Sequence, residues 1–219
     1  MSRRIKRSKP YIVVFCEGES EQAYTRFLKK KFSDVAVIKP PTQTGLFEEA
    51  ENKFEKDPKY RDYAEVTDEI WFFYDVEKDD ADKWEKRFEI IRYLRKLRKK
   101  PGIKVRLLMT TGCIEYWLLL HYKYSRPIIQ TVSQKKAVEN KLKSFEPLYE
   151  KGDESSTSRI GENYPMALGN GERTLKELTR EGLPELEDTD ERNRWLNFNC
   201  KTFTTVQEAI RFLEELKTE

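Results

Sequence analysis

The chain has 219 residues, of which 37% are charged and 37% hydrophobic, with a net charge of only +3. Such a length fits one generous domain or a core with a smaller helical annex, and the apolar residues gather in a few short runs. No run approaches the ~20 apolar residues that span a bilayer. Nor does an apolar segment follow the basic start MSRRIKRSKP, so neither a membrane span nor a secretory leader is expected and the protein reads as cytoplasmic. Cysteines stand at 16, 113 and 200 without a CxxC pair, which argues against a disulfide framework or a zinc site and for reduced thiols.

After a basic tail over residues 1–10, the run YIVVFC at 11–16 has the length and β-branched content of a buried strand. A helix follows Gly18, capped by Glu19 or Ser20, with Tyr24, Phe27 and Leu28 at helical spacing and Lys29, Lys30 and Lys31 at its C-terminal end. Residues 35–38 form a second strand, and 43–66 carry a weak helical pattern broken at Pro58. The most apolar strand covers 69–75. A long helix over 81–99 follows, stopped by Pro101 and Gly102. A fourth strand spans 103–109 and an apolar helix 113–124. The alternation predicts right-handed crossovers and a mostly parallel four-stranded sheet flanked by helices, an α/β core over residues 11–125. Beyond it, 126–219 reads as a helical annex packed on the core: helices over 135–149, 173–181 and 205–216, and a polar break at 152–158.

In such sheets ligands bind outside the carboxyl ends of the strands, and three strands end in acids: the first in Glu17, the third in Asp75 and Glu77, the fourth in Glu115. Gly18 lets the backbone turn from strand into helix beside Glu17. Asp75 and Glu77 are two apart, so in extended backbone both point to one face and can share a cation. Oxygen donors of this kind suit Mg²⁺ or Mn²⁺. Asp79, Asp80 and Asp82 read as caps of the next helix, and Glu115 is a charge in an apolar helix that must be exposed or paired. His121, the only histidine, shares a helical face with Cys113 and Trp117 and reads as a core residue; carboxylates must carry any metal chemistry. There is no GxxxxGK[ST] loop or GxGxxG, and the glycine-rich ALGNGE at 167–172 does not follow a strand. Two basic clusters could hold backbone phosphates: one includes Arg95, Arg98, Lys99 and Lys100, the other Lys29 and Lys30.

The series strand, Glu17, Gly18, Glu21, then strand, Asp75, Glu77 resembles the Toprim domain, with Glu77 in place of the second Asp of its Asp-x-Asp. More narrowly, CEGESEQAYTRFL at the first strand and TTGCIEYWLLLHY after the fourth are similar to motifs of the RloB-like family of bacterial and archaeal defence-associated proteins, as is the closing TFTTVQEAIRFLEEL. Thr111 and Gly112 depart from that family's usual Asn and Pro. The resemblance implies a Toprim fold, a divalent metal (Mg²⁺ or Mn²⁺) held by Glu17, Asp75 and Glu77, and Glu21 and Glu115 as further ligands or proton acceptors. The activity implied is nuclease cleavage of DNA or RNA in abortive-infection defence, with an ATPase as partner. The same acids would also serve a non-catalytic module that docks on an ATPase or nucleic acid, or phosphate-ester chemistry on a nucleotide. A homo-oligomer is compatible with either.

Overall fold

A computed structural model describes residues 9–99 and 101–218; most of the basic tail, and Lys100 with it, lie outside them. Four strands, β1 (Tyr11–Cys16), β2 (Val37–Lys39), β3 (Glu69–Val76) and β4 (Lys104–Thr111), form one parallel sheet in the order β2-β1-β3-β4. Both faces are covered, which is why β1 and β3 read as unbroken apolar runs. In β3, Trp71 and Phe73 enter one core and Ile70, Phe72, Tyr74 and Val76 the other, as alternation along a strand requires.

The first core takes α1 (Glu19–Lys31) through Tyr24, Phe27 and Leu28, and α5 (Ile114–Leu119) through Trp117 and its neighbours. The second takes α2 (Phe47–Lys56), α3 (Pro58–Val66) and, after a 3₁₀ turn at Lys78–Lys83, α4 (Trp84–Arg95). The helix that follows β1 and the helix that follows β3 thus lie on opposite faces although these strands are neighbours. Such a reversal opens a crevice at the carboxyl ends of the two strands.

Beyond the core the chain adds five helices, α6 (Val132–Lys143), α7 (Glu154–Gly161), α8 (Tyr164–Leu178), α9 (Asp190–Asn199) and α10 (Gln207–Thr218). Val138 and Leu142 of α6, Ile160 of α7 and Ile210 and Leu213 of α10 join the first core, so this region completes the hydrophobic interior. Several boundaries differ from expectation. The polar stretch expected as a break forms α7, because Asp153 caps it by accepting from Ser156 N–H and Gly161 lets it approach Phe27; a Cβ there would lie 2.7 Å from that ring. The glycines of ALGNGE lie inside α8. The helix expected over 113–124 ends at Leu119, where the last turn tightens into bonds such as His121 N–H to Leu118 O. His121 is buried, pairs with Tyr24 OH and Trp117 O, and burial lowers its pKa to about 4, so it is a neutral core residue.

The free edge of β4 is closed by the threonine-rich turn before α10. Thr111 N–H donates to Phe203 O, Thr205 N–H donates to Met109 O, and Thr110 and Thr204 form an antiparallel bridge. Thr205 Oγ1 also accepts from Met109 N–H at 2.8 Å and donates to Leu107 O at 2.7 Å. Thr205→Val keeps the shape and removes both bonds in a fully buried place, so it should lower unfolding free energy by roughly 2 kcal/mol in a urea titration.

Candidate functional site

The crevice between β1 and β3 gathers acids. Glu17 N–H donates to Phe73 O, extending the ladder by one residue, and Asp75 N–H donates to Glu17 Oε2, both at 3.1 Å. Asp75 has the same parity as Trp71 and Phe73, so it turns to the face under α1 and α5, where Glu21 and Glu115 stand. Together these four acids line a cleft of about 300 Å³ whose floor includes Gly112 and Cys113 and whose rim carries Lys135 and Lys151.

Gly18 is not demanded by its backbone, and the close neighbour of an added Cβ would be the end of the Glu21 side chain. Its φ of −134° is open to any residue, but a Cβ would lie 2.8 Å from Glu21 Oε2. It is also the N-cap of α1, in place of Glu19 or Ser20. Ser20 instead accepts from Gly152 N–H at 3.1 Å and meets Tyr149 OH, whose hydroxyl also donates to Glu115 Oε1 at 2.9 Å. Gly112 is a backbone requirement: its φ is +76°, and a Cβ would lie 2.4 Å from Ile129 Cγ2. A proline, with φ fixed near −65°, has no place on this backbone. Gly112→Ala should therefore cost about 2 kcal/mol in denaturant unfolding and shift the cleft floor.

The electrostatics are those of like charges forced together. Burial first, then Glu115 and Glu17, push the Glu21 carboxyl up to about 7, against its backbone N–H and Lys151. Asp75 is raised well above the usual carboxylate range by burial, then by Glu21, Glu17 and Glu115, with Lys135 opposing. Glu17 is exposed as a residue, yet its carboxyl turns inward, and loss of hydration raises it against the bond from Asp75 N–H. Asp75 Oδ1 is buried without a hydrogen-bond partner. The Cys113 thiol is raised by burial, then by Glu115 and Asp75, so it is a neutral wall rather than a nucleophile.

Of the acids singled out in the sequence, Glu17, Glu21, Asp75 and Glu115 converge. Glu77 does not line the cleft: it is exposed past the end of β3 and pairs with Lys135, with Asp75 facing Glu21 and Glu115 instead. Asp79, Asp80 and Asp82 lie inside the 3₁₀ turn and do not cap α4, whose N-cap is Lys83; Asp80 is bound to Lys83 and Arg87.

The basic residues expected to hold phosphates lie elsewhere. Arg95 makes a two-pronged pair with Asp190 at 2.8 and 2.7 Å, and Arg98 binds Asp68, Glu65 O and Pro101 O. Asp68 precedes β3, so Arg98 sits at the amino edge of the sheet, about 23 Å of strand from Asp75; Lys99, next in the chain, is exposed. Lys29 and Lys30 are exposed at the far end of α1, about 14 Å along the helix from Glu21. Neither cluster lines this cleft, and the cations that do, Lys135 and Lys151, come from the C-terminal region. No periodicity distinguished them among the many lysines of a polar text. A larger cavity, about 480 Å³, opens at the amino end of β4, but its charges are largely mutually engaged, as in Arg211–Glu172 and Arg192–Glu208.

A parallel sheet with helices on both faces and strand-borne acids at the reversal point makes this a Toprim-like α/β protein. The model of the RloB-like protein family matches residues 12–213. The chain belongs to that family. Comparison with curated proteins and with solved structures gives no match. Among the described residues no helix is long and apolar enough to cross a membrane.

Proposed function

We propose that this protein is a divalent-metal-dependent nuclease that cuts phosphodiester bonds of DNA or RNA, working in abortive-infection defence beside a partner ATPase. The observation that carries the reading is the unpartnered, buried Oδ1 of Asp75, set among Glu17, Glu21 and Glu115 at the sheet's reversal point.

The residues fit a hard cation: the charged donors are all carboxylates, and the cleft is lined by five acids, Glu19 included, against two ammonium groups. Among the described residues no three acid, cysteine or histidine side chains are placed to hold an ion by themselves, so waters and substrate phosphates would have to complete the coordination of Mg²⁺ or Mn²⁺. Glu17 and Asp75 would hold the ion, with Glu115 and Glu21 at its margin and Glu77 outside. The bound ion would supply charge neutralisation at the phosphate and a more acidic water. Glu21, with a pKa of about 7, is matched to taking a proton from an attacking water near neutral pH. Tyr149, donating to Glu115 Oε1, fixes that acid's orientation.

The ion pairs of Lys151 with Glu115 and Lys135 with Glu77 favour a second reading, a self-neutralised scaffold that binds nucleic acid or the ATPase without chemistry. Labelled single-stranded DNA, duplex DNA and transfer RNA, each incubated with Mg²⁺, Mn²⁺ or chelator, separate the two. Shorter products that require the metal support the nuclease; binding to these probes with no cleavage of any of them favours the scaffold.

A further inference from the structure

We infer that Lys151, assisted by Lys135, is a placeholder cation: it neutralises the acids of the cleft while no metal is bound, and swings to the substrate's phosphate once a divalent ion arrives. This rests on the nuclease reading and adds to it a coupling between metal and nucleic-acid binding.

The asymmetry of the Lys151–Glu115 pair carries the argument. The distance is 3.3 Å, but the Glu115 side chain is 2% exposed and that of Lys151 60% exposed. One partner is a fixed part of the interior and the other a long flexible stem reaching in from solvent. Glu115 keeps the Tyr149 hydroxyl, at 2.9 Å, when the ammonium leaves, so departure does not orphan a buried carboxylate. The backbone beneath Lys151 does not need to move. Gly152 N–H is tied to Ser20 Oγ at the start of α1, and a Cβ on Gly152, whose φ is +77°, would lie 3.0 Å from Glu19 Cβ. Lys135 is anchored alike, in the first turn of α6, whose start is closed by a reciprocal Thr131–Gln134 capping box. Its ammonium pairs with Glu77, as that of Lys151 pairs with Glu115.

A divalent ion brings two positive charges, as many as the two ammonium groups supply. Without substrate, an ion on Glu17 and Asp75 is repelled by the ammonium groups held beside it on Glu115 and Glu77. With substrate, its phosphate oxygens give the released ammonium groups a partner, and all the cations are retained together. Metal and nucleic acid therefore strengthen each other's binding, and an ammonium removed from the cleft must affect the two in opposite directions.

Lys151→Met keeps the stem and removes the charge. Mn²⁺ binding to the nucleic-acid-free protein, followed by the loss of the free-ion electron paramagnetic resonance signal, should tighten by about fivefold or more. Binding of a labelled single-stranded oligonucleotide with Ca²⁺ in place of Mn²⁺ should weaken, and its salt dependence should fall by about one phosphate contact. Lys151→Arg should restore oligonucleotide binding, and Lys135→Met should repeat the pattern more weakly. Mn²⁺ affinity that is unchanged or lowered in Lys151→Met, in a variant whose melting confirms folding, overturns the placeholder role. Wild-type protein that binds no Mn²⁺ overturns the nuclease reading itself, a result distinct from the first.

Discussion

Asp75→Asn should reduce metal-dependent cleavage about a thousandfold or more, and at pH 8 the metal-free variant should melt above the wild type. Both effects come from one geometry. Asp75 carries a buried oxygen with no partner and faces three other carboxyl groups, an arrangement that opposes folding unless a cation or a proton is present. Asparagine keeps the shape and removes the charge. Loss of a metal-binding carboxylate at the reacting phosphate corresponds to about 4 kcal/mol of transition-state stabilisation, whereas relief of repulsion raises the melting temperature by roughly 5 °C in a chain of this size. Cleavage assays and calorimetry on the same preparation test both halves; an active variant would remove Asp75 from the chemistry.

Metal-free wild type should lose stability as pH rises from about 4.5 to about 7. Glu21 is an acid whose folded pKa, about 7, lies above its unfolded value, so between those values the folded state binds the extra proton and rising pH favours unfolding. With Glu21 buried, the loss amounts to roughly 3 kcal/mol across that window, and Asp75, raised in the same direction, adds to it. Glu21→Gln should flatten the profile. Mn²⁺ should restore stability at pH 8 by binding only the folded state. Urea midpoints at pH 5 and pH 8, with and without Mn²⁺, measure each step, and a profile that rises with pH would contradict the buried acid cluster.

The sheet and its acidic edge were legible because each rests on a strong local signal. A strand covered on both faces leaves an unbroken apolar run, and an acid at its end stands out. Glu17 and Asp75 could be put on one sheet edge from the text, since alternating strands and helices imply a parallel sheet, but that β1 and β3 are neighbours follows only from the fold. Glu77 could not be placed, because parity along a strand stops applying where β3 ends at Val76. Arg95 and Arg98 looked like a free basic face because a charge run does not disclose its partners; Asp190 and Asp68, far off in sequence, already engage them. Helix α9 was missed because its stability comes from tertiary contacts: Arg192, fully buried, bonds Glu208, Asp188 and Leu186 O. The closing motif TFTTVQEAIRFLEEL was visible, but its role of covering β4 follows only from the fold.

That cover has a consequence for how the chain can be cut. A fragment ending near residue 125 would retain all four strands and all four converging acids, yet it would lose Lys135 and Lys151 and leave the backbone of β4 bare on one side. Such a naked strand invites another copy to pair alongside it. Truncation would yield a sticky, over-acidic remnant, so the minimal working unit must extend through the final helix.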